Sequence, residues 1–441
     1  MKQNVAFSVG NLAIIDKVDA ELGGYFERVF GKVGGGAREF VPCVKLFVYN
    51  RLGDCLATNR LKSYPDELFW MLGFKDIPGE RSFYRTVERI GKGFELVLLR
   101  HQQIIKEHGL VTKEQFMDFS SSYSEGNDMA LGEYGYSRDG QPGKKQLVFG
   151  ISTGINGIPT AITIQKGNTN DAEHMGFMLR AAEAVLERES LLIFDCGANS
   201  KKNKSTIRAM DFHYLTLRPK KRGTYKEPMA AFHAGQKQSF ELNDRTYEYM
   251  KTKDGSEYRY IYFCEELKRE QLAIKASKFQ KEIEKNEPLL KRTKAGKPLD
   301  EYPCSEGTII AKGSLQKLLD DDANPRINGL EGFFALESSV DAEPLSILKL
   351  YKNRDKAEKL IRNIKEGTEL RPMRHWSKHA VIGYVMLVFL TNFLVNLTLH
   401  RAKSSQVKNV KLLKKYLTIY KLRRKRSLYE RMKFYLEFHS I

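Results

Sequence analysis

Gln115-Phe-Met-Asp118-Phe119, Gln146-Leu-Val-Phe-Gly-Ile-Ser-Thr153 and Ile158-Pro-Thr-Ala-Ile-Thr-Ile-Gln165 follow one another as three short apolar runs. Each has strand length, and none is separated from the next by a helical repeat. Beyond them the pattern changes. Residues 171–188 have helical periodicity, Leu191-Leu-Ile-Phe-Asp195 is a strand, residues 201–210 are helical and His213-Tyr-Leu-Thr-Leu217 is a strand again. Three consecutive strands can pair as an antiparallel meander, whereas strands joined through helices can run parallel. The expected fold class is therefore α/β, a mixed sheet with helices on its faces.

The order strand, strand, strand, helix, strand, helix, strand is RNase H-like. It gives two acids a common address. Asp118 lies at the end of the first expected strand, and Asp195 lies at the end of the fourth. In an RNase H-like order these two strands are neighbours, so the carboxylates could meet. Each acid alone also suits a strand-end turn or a helix cap. Asp171, before an apolar-periodic run, is read as a helix start with a structural role.

A third acid comes from Tyr351-Lys-Asn-Arg354-Asp-Lys-Ala-Glu358-Lys-Leu-Ile-Arg-Asn-Ile-Lys365. On one continuous helix, Tyr351, Arg354, Glu358 and Lys365 would share an arc of about 60°. Such a stripe suits a metal-binding carboxylate among phosphate-holding cations, although a mixed-charge helix can equally be a solvated surface. Asp118, Asp195 and Glu358 together would hold two Mg²⁺ ions, or Mn²⁺, about 3.5–4 Å apart.

The flanking regions have other characters. Residues 1–112 are mostly helical, punctuated by Pro65, Pro78 and Gly79. Segments 65–73 and 77–85 suggest helix, turn, helix, with Phe83 facing a core and Arg81, Ser82 and Arg85 outward. This pattern serves a DNA-binding domain or a plain packing domain. Residues 222–329 interrupt the α/β plan as an insertion domain, with a hairpin across Asp254-Gly255, a charged helix near 272–285 and a loop-rich stretch at 291–303. The catalytic core would thus comprise 113–221 and 330–400, followed by a basic region at 401–441.

Charge points to a polyanion. The 441 residues carry 73 Lys and Arg against 54 acids, and Arg401 to Ile441 alone hold 13 against 2. Lys421, Arg423, Arg424, Lys425 and Arg426 form the densest patch, suited to non-specific phosphate contact. Five scattered cysteines, Cys43, Cys55, Cys196, Cys264 and Cys304, form no C-x-x-C pair. They are read as reduced thiols of a cytoplasmic protein without a signal peptide. Residues 380–399 carry no formal charge and could span a bilayer, but Asn392 and Asn396 would be costly facing lipid. A buried core helix is expected there, with no membrane partner.

The spacing Y-x2-R-x3-E-x6-K resembles the signature of bacterial insertion-sequence transposases of the Asp-Asp-Glu (DDE) type, in the YREK group. Further matching stretches are Glu133-Tyr-Gly-Tyr-Ser-Arg-Asp139, Lys166-Gly-Asn168 with Asp171, Asp195-x-Gly197, Gly332-Phe-Phe334, Leu370-Arg-Pro372 and His375-Trp376. The resemblance implies catalytic and metal-ligand roles for Asp118, Asp195 and Glu358, and DNA contacts by Tyr351, Arg354 and Lys365. It also implies an extruded base near Tyr351 or Trp376 if the reaction passes through a hairpin. The implied partners are double-stranded DNA, as element ends and target, and a second copy in a homodimer on DNA. Cys196 and Ala198 depart from the Arg and aromatic residue often found there. The implied activity is cleavage at terminal inverted repeats and transfer of 3′ ends in a nucleoid-bound bacterial protein. Two alternatives stay open: a catalytically inactive, transposase-derived DNA-binding protein, and an RNase H-like nuclease without strand transfer.

Overall fold

The computed structural model describes residues 7–37, 39–220, 222–294, 326–402 and 421–422. Arg423, Arg424, Lys425 and Arg426, Cys304 and most of the 291–303 stretch lie outside the described residues. The chain forms two compact units, Met1–Tyr214 with Tyr351–Ile441, and Leu215–Leu350.

The first unit begins with a two-residue strand, β1 (Phe7–Ser8), and six helices: α1 (Val9–Glu21), α2 (Tyr25–Phe30), α3 (Phe40–Leu52), α4 (Asp66–Met71), α5 (Glu80–Lys92) and α6 (Phe94–Glu107). Phe83 on α5 is fully buried while Arg81 and Arg85 are exposed, as the sequence pattern suggested. A meander follows: β2 (Glu114–Tyr123), β3 (Gln146–Gly154) and β4 (Pro159–Lys166), antiparallel in sequence order. After α7 (Asp171–Ala182), β5 (Leu191–Phe194) runs parallel to β2. α8 (Lys201–Ala209) leads to β6 (His213–Leu217), whose first N–H donates to the Ser190 carbonyl at 2.8 Å. The resulting order, β4-β3-β2-β5-β6, is the RNase H-like mixed sheet. Every residue of β3 is buried, as befits a strand covered on both faces.

The 380–399 stretch is inside this unit. It belongs to α13 (Lys378–Arg401), against which α5, α3, α1 and β4 pack. Its most apolar window is 89% buried within the protein, so its hydrophobicity is that of a core helix. The polar residues are satisfied internally. Asn392 donates to Thr368 Oγ1 at 3.0 Å and to the Val388 carbonyl at 2.8 Å, and Thr391 bonds the Leu387 carbonyl. The crossing with α5 is backbone against backbone: a Cβ on Gly91 would fall 1.8 Å from the His379 carbonyl oxygen, and one on Gly383 would fall 1.9 Å from that of Val87. Only glycine allows so close an approach.

In the second unit the strand order is β6-β10-β9-β8-β7, all antiparallel. β7 is Gln238–Glu241, β8 is Thr246–Asp254, β9 is Glu257–Phe263 and β10 is Phe333–Ser338. The hairpin turns where the Asp254-Gly255 pair predicted, with Gly255 at φ +58°. Tyr225 and Phe232 of α9 (Arg222–Ala234) pack with Ile261, Leu330, Phe333 and Ala335 into a separate small core. The charged helix α10 runs Glu265–Lys294, longer than the 272–285 expected. This unit takes in β10 and most of α11 (Pro344–Lys352), both beyond the 222–329 range read from composition.

The continuous 351–365 helix is not what forms. α11 ends at Lys352, a turn at Asn353 and Arg354 breaks the helix, and α12 (Asp355–Arg362) then passes into a π-helical turn at Asn363–Gly367. Tyr351 and Lys365 therefore fall off the one straight stripe, whereas Arg354, in the αR conformation, keeps its place one turn before Glu358. The wide turn is held from two sides: Asn363 bonds Asn392 of α13, and Thr368 Oγ1 bonds back to the Asn363 and Ile364 carbonyls.

Candidate active site

The register of β2 against β5 brings the first two acids together. Met117 pairs with Phe194, so Asp118 and Asp195 are the next residues on two parallel neighbours. Asp118 is mid-strand rather than at a strand end, because β2 continues to Tyr123. Asp195 leaves the sheet immediately after β5, and its Oδ1 accepts from the Cys196 N–H at 2.7 Å, starting a 3-10 turn. Glu358 lies in the first turn of α12, which packs on β2 and β3.

All three acids meet one cation. At the helix break, Arg354 Nη1 stands 3.5 Å from Asp118 Oδ1, Nη2 stands 3.9 Å from Asp195 Oδ2, and Nη2 also bonds Glu358 Oε1. Tyr351 donates its hydroxyl to Asp195 Oδ1 at 3.4 Å, and its ring lies 5.7 Å from the guanidinium carbon. The cluster is graded in exposure: the Asp118 and Arg354 side chains are 16% and 14% exposed, those of Asp195 and Glu358 43% and 45%. Burial pushes Asp118 up to about 6, against the opposing pull of Arg354 and a Phe119 N–H bond, and the neighbouring acids add to the rise. Burial likewise raises the Tyr351 phenol, with Asp195 contributing, so it is a neutral donor. The Cys196 thiol is raised by burial and by Asp195, which keeps it a neutral group beside the acids.

Lys365 is placed elsewhere. Its ammonium bonds Asp139 Oδ1 at 2.7 Å, Arg371 bonds the same oxygen at 2.8 Å, and the Asp139 side chain is completely buried. The Lys365 side chain is only 8% exposed, and where the sequence pattern leads one to expect a phosphate contact it pairs instead with Asp139, joining the π-helical turn to the loop that carries that acid. Burial lowers its pKa, and Asp139 opposes that fall. Arg138 makes the corresponding ion pair with Asp171, the acid read as structural, which opens α7 behind its Asn170 cap. Gly135 approaches Gly167, where a Cβ would lie 2.2 Å from the carbonyl oxygen. The residues quoted as matching stretches thus include contacts that hold the loops around the acids, which spacing along the chain does not reveal. Trp376 has an exposed ring, 66% accessible, available to a ligand.

Three carboxylates are hard oxygen donors of the kind Mg²⁺ and Mn²⁺ take. Arg354 supplies the positive charge they meet here. Among the described residues no three Asp, Glu, His or Cys side chains are grouped closely enough to hold one ion. The donor set fits a divalent cation in chemistry, and ligation by all three requires Arg354 to withdraw and the carboxylates to close.

Residues 116–394 match the family model described as the transposase DDE domain. That span is well over half of the chain and encloses all three acids, and the protein belongs to the DDE transposase family. Among solved structures it is similar to the cryo-EM structure of a piggyBac transposase synaptic complex with hairpin DNA. The identity is 10%, the match covers 93% of this chain and 78% of that one, and the TM-score is 0.45. A comparison with curated proteins finds no match.

Proposed function

We propose that this DDE transposase is of the insertion-sequence YREK group, binds the terminal inverted repeats of its element, cleaves the DNA there and joins the freed 3′ ends to target DNA. The observation that carries the reading is the convergence of Asp118, Asp195 and Glu358 on the single guanidinium of Arg354. The three acids would hold the divalent ions, whose chemistry there would be activation of water or a 3′-hydroxyl and stabilisation of the leaving oxygen. Arg354, once released from the carboxylates, is free to take a phosphate oxygen, for which its planar fork is suited. Tyr351 keeps Asp195 oriented through its hydroxyl. Water and the DNA hydroxyl serve as successive nucleophiles, so no Ser, Cys or His nucleophile is needed.

Because both ends of an element must be joined, the working form is a homodimer on double-stranded DNA, at the nucleoid of a bacterial cytoplasm. The test is incubation of the purified protein with labelled element ends and Mg²⁺, resolving nicked, hairpin and joined products. Joined products are expected. Nicks alone would leave a nuclease, and binding without any break would leave a DNA-binding protein.

A further inference from the structure

We propose that a second anion site, lined by none of the three carboxylates, occupies a cavity of about 250 Å³ formed around Arg51, Arg374 and His375, and that it holds a phosphate group of a DNA backbone. The choice of DNA as carrier rests on the proposed function; the phosphate chemistry does not.

Arg51, at the end of α3, is 4% exposed. Among the described residues its guanidinium reaches only carbonyl oxygens, those of Leu56 at 2.6 Å and Thr368 at 3.5 Å, and lies over the Tyr384 ring at 5.2 Å. Its Nε is buried with no acceptor. Among the described residues no carboxylate comes within ion-pair distance of it. A buried cation with an unused donor lacks both a counter-charge and an acceptor, and a phosphate supplies both at once.

The rest of the lining agrees. Arg374 is exposed and has no ion pair among the described residues, whereas Arg371 is committed to Asp139 and Glu366. Among the described residues Glu369 is the single acid in the lining, exposed to solvent and set against Arg51 and Arg374. His375 is buried, and burial together with Arg51 lowers it to about 4, so at neutral pH it presents a ring without a second charge. The Tyr84 ring, 41% exposed, offers a face on which a sugar or base beside the phosphate can rest.

Cys55 lines the same cavity and reports on it. The full-length protein, without divalent cation, is treated with iodoacetamide, and Cys55 alkylation is followed by peptide mass spectrometry with no ligand, with inorganic phosphate and with a random-sequence duplex. Saturating duplex should slow Cys55 alkylation about tenfold and phosphate should do so at higher concentration. Arg51→Gln and Arg374→Gln should each remove the protection while melting cooperatively. Should Arg51→Gln fail to fold, the exposed Arg374→Gln carries the test. Protection by phosphate alone would refute DNA as the carrier. Unchanged alkylation with both ligands, or protection that survives the Arg substitutions, would overturn the site. Since no cleavage is read, an enzyme that fails to cut DNA would leave this result standing.

Discussion

Arg354 and Lys365 belong to one short segment, and spacing alone gives them one role, yet the structure treats them oppositely. Arg354 sits at a helix break beside three acids, two of which remain nearly half exposed. Lys365 sits past the end of the next helix, on a π-helical turn, with its ammonium buried against a fully buried Asp139 and a second cation, Arg371, on the same oxygen. A pair that water can reach is exchangeable. A pair sealed from water is costly to break, because each charge left behind has no solvent to turn to.

The largest expected effect lies on the exchangeable side. Asp118→Asn, Asp195→Asn and Glu358→Gln should each lower cleavage of element ends by at least about 10³-fold, the loss of several kcal/mol of charge stabilisation. End binding, measured by gel shift, should stay within about twofold of wild type. Any one of these variants cutting at near-normal rate removes that acid from the ligand set. Next comes Asp139→Ala, which strands the buried Lys365 and leaves Arg371 only Glu366. Chemical denaturation should show a loss of about 3–5 kcal/mol, and an unchanged midpoint would mean that the buried pair is not structural.

Arg354→Gln sharpens the contrast from the other direction. Stability should fall by only about 1–2 kcal/mol, but Asp118 should titrate above its value near 6, since the nearest cation opposing its burial is gone. A carboxyl NMR titration that leaves Asp118 unmoved would show that Arg354 does not govern it. Smallest is Lys365→Arg: charge is kept and shape is not, so a loss of about 1 kcal/mol is expected beside a larger loss for Lys365→Ala. Equal losses for the two would show that charge plays no part.

Much of the sheet was legible because its signals are local. Strand-length apolar runs gave β2 to β6, and the Asp-Gly pair gave the β8–β9 hairpin. The asparagines in residues 380–399 marked a protein interior rather than a lipid face. What was illegible depends on distant partners. Nothing near Lys365 announces Asp139, which precedes it by more than two hundred residues, and the π-helical turn that carries it depends on Asn392 across the fold. The edge strand β7 is largely exposed and lacks an apolar run, so it offered no periodicity to find. Asp118 and Asp195 were read from type and strand position and Glu358 from helical spacing, whereas the approach of both aspartates to Arg354 depends on how β2, β5 and α12 pack, which a 3.6-residue repeat does not show.

The glycine crossing of α5 and α13 bears on how the protein is made. The strands β2, β3 and β4 pair with sequence neighbours and can assemble soon after they leave the ribosome. The helices before them cannot finish so early, because Gly91 waits for a partner at Gly383. Until that stretch has been translated, α5 lacks the helix it crosses most closely, although Phe47 of α3 already meets the Phe83 ring. These helices, though synthesised before the sheet, are therefore among the last elements to acquire their packed form, and a product stopped short of α13 should be prone to aggregation and proteolysis rather than persist as a folded fragment.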